Sequence, residues 1–302
     1  MKTKLLWLAA ALLGATAHAA LNVVATLPDF GAIAQAIGGD KVKVTSIAKG
    51  TEDPHFVDAR PSYIRVLNQA DVLIEGGAEL ELGWLPPLVD TARNGRILAD
   101  APGHVILSPY LHLLDIPTGP VDRSLGDVHA LGNPHFWLDP ANGKIIAHVL
   151  ADRFSQIAPA DAPVFRANLQ KFNERLDQKT IEWAKLLAPY RGTKVITYHK
   201  SFEYFLARFG LVLAGTIEPK PGIEPSPSYI NGLVPRVKDA GVKLVLVEPF
   251  RPRKTPEYLA PAIGARLLLL PQSVGGNEQS RDYLGLLDYD VNQIATALKE
   301  SK

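Results

Sequence analysis

The sequence predicts an α/β protein made of two parallel-sheet lobes joined by one long rigid helix. Three observations lead there. Short, near-continuous apolar runs alternate with helical stretches in the first half of the chain, the same alternation returns in the second half, and a single long amphipathic segment separates the two.

Taken in order, the chain opens with MKTKLLWLAAALLGATAHAA. Lys2 and Lys4 give a basic start, Leu5 to Leu13 an apolar stretch, and Ala17-His18-Ala19 a small-x-small cleavage site, so residues 1–19 read as a secretory signal peptide. The apolar run is too short to span a bilayer. No cysteine occurs among the 302 residues. A disulfide framework, a thiolate metal site and a lipid-bearing cysteine at the cleavage site are therefore not expected, and a free periplasmic protein is. Roughly 280 residues remain after cleavage, enough for two domains. Loss of Lys2 and Lys4 leaves 30 basic against 31 acidic residues, and no Lys/Arg run or aromatic-interleaved basic segment is present. A nucleic-acid partner is excluded on that ground.

In the first lobe, residues 20–160, the runs LNVVATL (21–27), VKVTSIA (42–48) and VLIEGG (72–77) read as strands, with helices from Phe30 to Ile37 and Ser62 to Asn68 between them. In the second lobe, residues 190–302, the strands are TKVITYH (193–199), LVLAGTI (211–217), VKLVLVEPF (242–250) and ARLLLLP (265–271). Runs this apolar belong to parallel sheets covered on both faces. Between the lobes, within 161–189, Phe165, Leu169, Phe172, Leu176, Trp183 and Leu187 recur on one helical face. A helix over 164–188 would be roughly 35 Å long, about a domain diameter. A long helix inside one large domain is the competing reading, and the strand pattern on both sides argues against it. The proline-rich stretch EPKPGIEPSPSY (218–229) reads as a stiff loop leading into a helix.

Seven histidines follow the signal, and three lie where ligands belong. His199 ends the strand TKVITYH, His55 lies in EDPHF beyond the strand VKVTSIA, and His135 lies in NPHFWLDP before a helix start at Asp139-Pro140. In open parallel sheets the ligand crevice lies beyond the carboxyl ends of the strands. Proline precedes His55 and His135 and stiffens the chain there. Neutral imidazole suits zinc, copper, nickel and iron, and three such ligands with one position open is a known zinc arrangement. His104, His112 and His148 carry no such context and read as surface or satisfied core residues.

At these residues the chain resembles the cluster A-I metal-binding solute-binding proteins of ABC transporters, the zinc and manganese receptors. The resemblance runs through GTEDPHFVDARPS (50–62), LNQADVLIEGGAELE (67–81), NPHFWLDP (133–140), TYHKSFEYF (197–205), PGIEPSPSYI (221–230) and a final SVGG followed by YLGLLDYDVNQI (283–294). It implies a metal site in the cleft between the lobes, ligated by His55, His135 and His199, and a membrane permease as partner to a monomeric receptor. It also implies a carboxylate as fourth ligand, but here PQSVGG places Gln272 at that position. A neutral amide oxygen in place of the acid favours zinc over manganese, with copper or nickel also compatible. Water or Glu278 are the alternatives for the fourth position. The resemblance further implies a long His- and acid-rich insert before His135, where this chain has only residues 111–132, with His112 and His129 well separated. His129 reads as a solvent-facing loop residue, with an auxiliary role at the site as the alternative. Phe136 and Trp137 read as a dry wall beside the site. Glu248 is either an acceptor for an imidazole N–H or a residue leading into a helix.

Two rival functions follow from the same residues. A zinc hydrolase would need a general base near a metal-bound water, and only Glu52 and Asp53 flank a ligand. A receptor for a metal chelate would need a wide, aromatic-lined cleft. For a plain ion site, imidazoles at their ordinary pKa would lose metal below about pH 6.

Overall fold

The computed structural model describes residues 19–119, 126 and 129–300; the signal expected at 1–19 lies outside them except for Ala19. The first lobe is built on strands β1 (Leu21–Ala25), β2 (Val42–Ser46), β3 (Val72–Glu75) and β4 (His104–Ile106), hydrogen-bonded in the order β2-β1-β3-β4, all parallel. Helices α1 (Pro28–Gly38), α2 (Pro61–Asn68) and α3 (Leu85–Ala92) connect or flank them. The second lobe repeats the arrangement with β5 (Lys194–Thr197), β6 (Val212–Thr216), β7 (Leu244–Val247) and β8 (Arg266–Leu269) in the order β6-β5-β7-β8, again all parallel. Its helices are α6 (Glu203–Phe209), α7 (Pro227–Asp239) and α8 (Lys254–Ala262). The central strands β3 and β7 read VLIE and LVLV because helices cover both faces of each sheet.

Between the sheets run α4 (Pro140–Ile157) and α5 (Ala162–Leu187), and the chain closes with α9 (Tyr283–Glu300). At 26 residues α5 is about 39 Å long. Phe165, Phe172, Leu176, Trp183 and Leu187 are buried along it as the periodicity predicts, and Leu169 is half-buried. The helix packs against α1 and α4 on one side and α9 on the other. One hydrophobic cluster consequently runs from Val23 on β1 through Phe30, Phe154 and Trp183 to Phe205 on α6 and Leu298 on α9. The outer face of each sheet has its own smaller cluster, under α2 and α3 in the first lobe and under α7 and α8 in the second. Among the described residues no helix is long and apolar enough to cross a membrane.

The segment 133–140 is the seam between the lobes. The Asn133 side chain donates to the Lys200 carbonyl (2.9 Å), the Trp137 indole to the Gln272 carbonyl (2.7 Å), and the Tyr204 hydroxyl to the Asn133 carbonyl (2.7 Å). Gly50 marks a second close approach. A Cβ there would lie 2.2 Å from the carbonyl oxygen of Val274, so only glycine lets the loop after β2 meet the loop after β8.

Candidate metal centre

His55, His135 and His199 converge from three separate places in the sequence. Each offers a ring nitrogen within 4.8 Å of those of the other two, and their ring centroids are 5.1–5.3 Å apart. His55 comes from the loop after β2, His199 follows β5 by two residues, and His135 comes from the seam. The two strand-borne histidines thus stand beyond strand carboxyl ends, as parallel topology requires of a ligand site.

Local sequence explains two of the three. In Asp53-Pro54-His55 the aspartate Oδ1 accepts the His55 backbone N–H (3.1 Å), and in Asn133-Pro134-His135 the asparagine Oδ1 accepts that of His135 (2.9 Å). Each is a side-chain turn that an Asp or Asn two residues upstream is built to make. The proline stiffens the turn from inside.

Carboxylates then orient the rings. Asp53 Oδ1 lies 2.8 Å from His55 Nδ1 and Glu218 Oε2 lies 2.8 Å from His199 Nδ1. With Nδ1–H donated, each Nε2 presents its lone pair to the cavity, the arrangement that fixes tautomer and raises ligand basicity. Arg251, in the loop after β7, ties the two carboxylates together, its Nη1 standing 3.1 Å from Asp53 and 3.3 Å from Glu218. Burial pushes the Asp53 carboxyl up, but His55 and Arg251 outweigh it and hold the group at about 2. His135 is buried with neither ring nitrogen hydrogen-bonded. A buried imidazole without partners costs about 1–3 kcal/mol unless something fills the gap, and a cation does. Burial, reinforced by the neighbouring histidines, drives the His135 imidazole well below its ordinary pKa, and burial lowers that of His199 despite the opposing Glu218 bond. Both rings are thereby kept neutral, the state that ligates.

Gln272 is buried, and its Oε1 has no hydrogen-bond partner. Glu278, by contrast, is exposed and stands outside the histidine cluster. His129 differs from the solvent-facing expectation: it is half-buried, and its Nε2 lies 3.1 Å from His55 Nε2. Glu248 is buried and accepts the Ser201 hydroxyl, so neither role expected for it is the one found. Phe136 and Trp137 are fully buried, with the Trp137 ring 5.2 Å from His135. A cavity of about 190 Å³ adjoins the cluster, lined by His129, His135, His199, Asn133, Lys200 and Pro221 among others. Among the described residues no aromatic ring apart from imidazoles lines it.

Sequence reasoning missed Glu218 and Arg251. Glu218 follows β6 just as His199 follows β5, so the strand-end rule that selected His199 would have selected it as well.

The chain matches known proteins over nearly its whole length. The family model described as "ZnuA: Zinc-uptake complex component A periplasmic" matches residues 23–297. The high-affinity zinc uptake system protein ZnuA of Yersinia pestis is 29% identical over 297 residues, covering 93% of this chain and 92% of its own. The manganese ABC transporter substrate-binding lipoprotein PsaA of Streptococcus anginosus is 27% identical over 298 residues, covering 95% of this chain and 92% of its own. A solved 138-173 ZnuA deletion mutant with zinc bound superposes with a TM-score of 0.76 at 26% identity, covering 92% of this chain and 98% of that one. These are binding components of transporters and not enzymes, in keeping with a site whose nearest carboxylates are already engaged by imidazole and guanidinium. With the match to the family model reaching from β1 into α9, the chain belongs to the ZnuA family of periplasmic metal-uptake components.

Proposed function

We propose that this chain captures a divalent transition metal, zinc by preference, on His55, His135 and His199 and hands it to an ABC permease. The observation that carries this reading is the meeting of three imidazoles, two aimed by carboxylates and one left without any other partner. The fourth position is open to the unpartnered Gln272 Oε1, to water, or to His129. No carboxylate belongs to the cluster of potential donors among the described residues, and a nitrogen-dominated site favours zinc over manganese. Manganese is the second reading, since relatives bear that name. The small cavity without aromatic carbocycles supports a bare ion over a chelate.

We also read the protein as a free periplasmic monomer. Two relatives are named lipoproteins, and the lack of cysteine in the given sequence is what supports a form without a lipid. Residues 20–160 and 190–302 would be the two lobes and 161–189 the link. Elemental analysis with competitive titration of zinc and manganese tests the central reading. Wild type should take up one zinc per chain, preferred to manganese, and His199→Ala should lose it. Wild type that binds no transition metal stoichiometrically would overturn the reading.

A further inference from the structure

We propose that His129 supplies the fourth nitrogen, closing an all-imidazole cage around the ion. This rests on the reading of His55, His135 and His199 as ligands, and extends it to a residue outside that trio.

The geometry begins with two ring nitrogens facing each other, His129 Nε2 and His55 Nε2, 3.1 Å apart. His55 turns its Nδ1 to Asp53, which leaves Nε2 as the nitrogen that faces His129. A proton on one of the two rings or a cation shared by both makes that approach favourable. A tetrahedral zinc with bonds of about 2.0–2.1 Å places its ligand nitrogens roughly 3.3 Å apart, close to the spacing seen. His129 also lines the same cavity as His135 and His199, and with His55 it borders a second one.

The loop that carries His129 is held from both lobes. On one side the Ala130 N–H donates to Glu79 Oε2 (2.6 Å). Ala78 and Glu79 themselves sit at φ 50° and 67°, left-handed backbone that a non-glycine residue adopts only when its surroundings impose it. On the other side Gly126, at φ 75°, lies so near the second lobe that a Cβ there would stand 2.2 Å from the Pro221 carbonyl oxygen. The Gly132 N–H returns to the His129 carbonyl (3.2 Å), and the Asn133 N–H donates to the Leu114 carbonyl (2.7 Å). The described residues near His129 therefore meet both lobes, Ala130 the first and Gly126 the second.

The test is competitive zinc titration of wild type, His129→Ala, Gln272→Ala, His199→Ala and His112→Ala, with X-ray absorption on the zinc-loaded protein. His129→Ala should weaken zinc by at least roughly tenfold, the lower end of what disturbing even a supporting residue costs. His112→Ala, exposed in the same loop, should bind as wild type does. Zinc-loaded wild type should show four imidazole nitrogens, and His129→Ala three plus one oxygen. His129→Asp should recover part of the affinity and shift preference toward manganese. Wild-type affinity and an unchanged spectrum in His129→Ala, with His199→Ala inactive, would overturn the fourth-ligand proposal and leave the three-histidine reading intact. Loss confined to Gln272→Ala would likewise overturn it, by giving that corner to the amide oxygen. If wild type itself binds no zinc, both readings fall.

Discussion

Asp53 and Glu218 aim the two histidines that come from strand ends, and both lean on the guanidinium of Arg251. Removing Glu218 would free His199 to rotate and leave Arg251 nearer the ion with one counter-charge fewer. Glu218→Ala should therefore weaken zinc by about 10–100-fold, the usual cost of losing a carboxylate that orients a ligating histidine. Isothermal titration reads this directly, and an affinity within a factor of about 3 of wild type would be too small to fit that range. The same burial revises the pH dependence expected from ordinary imidazoles. His135 lies well below its usual value, His199 is lowered, and His129 is depressed to about 3, by burial first and by its histidine neighbours second. A depressed value means that protons at these three positions compete with metal at lower pH than at ordinary imidazoles. Zinc affinity should therefore fall between pH 7.5 and 6 by less than competition at three ordinary imidazoles would give, and a fall that steep would contradict it. Much of this site was legible in the sequence. His55 and His135 each stand behind an Asx-Pro pair and His199 beyond a strand, all local signals. His129 pairs with a residue 74 positions away, which no local pattern encodes, whereas Glu218, 19 positions from its partner, was findable from its place beyond a strand.

Among the elements, the apolar strands and the long helix were readable because burial on both faces, or along one stripe, leaves a period in the sequence. The strand β4 was not. It is three residues long, His104–Ile106, too short to show any period, and its pairing with β3 is what defines it. The start of α4 was readable for a chemical reason. Asp139 Oδ1 accepts the Ala141 N–H (2.8 Å) as an N-cap, and Pro140 takes the first helical position. What the sequence did not disclose is that the same carboxylate binds Arg208 of α6 through two contacts, at 2.6 and 2.7 Å, so that the cap also joins the lobes. Asp139→Ala should cost about 0.5–2 kcal/mol through the lost cap. The Arg208 pair adds about 1 kcal/mol or less, because the arginine is partly exposed. Urea denaturation of Asp139→Ala, Arg208→Ala and the double variant separates the two contributions. If Arg208→Ala destabilised as much as Asp139→Ala, the cap would be the minor term, contrary to this assignment.

At the scale of the whole molecule the two sheets repeat one strand order, yet they do not behave as separable halves. The principal core passes through α1, α4, α5, α6 and α9 without a break, and the seam at 133–140 adds hydrogen bonds from both sides. Hinge closure ordinarily uses a few loop residues that absorb large backbone changes. Here the link is a continuous 26-residue helix buried along its length, flanked by contacts such as Gly50 against Val274 that tolerate no added atom. Opening the lobes widely would break the helix or expose that shared core, and the binding of one ion does not supply so much free energy. Zinc should therefore raise the melting temperature by mass action, with about 4 kcal/mol available at a thousandfold excess over Kd. Small-angle scattering should meanwhile give the same radius of gyration with and without metal. Unfolding should also remain a single cooperative transition in both states, because the core that would have to part is common to the two lobes. A clear contraction on zinc binding, or a second transition belonging to 190–302 alone, would show that the long helix is a hinge and not a spine.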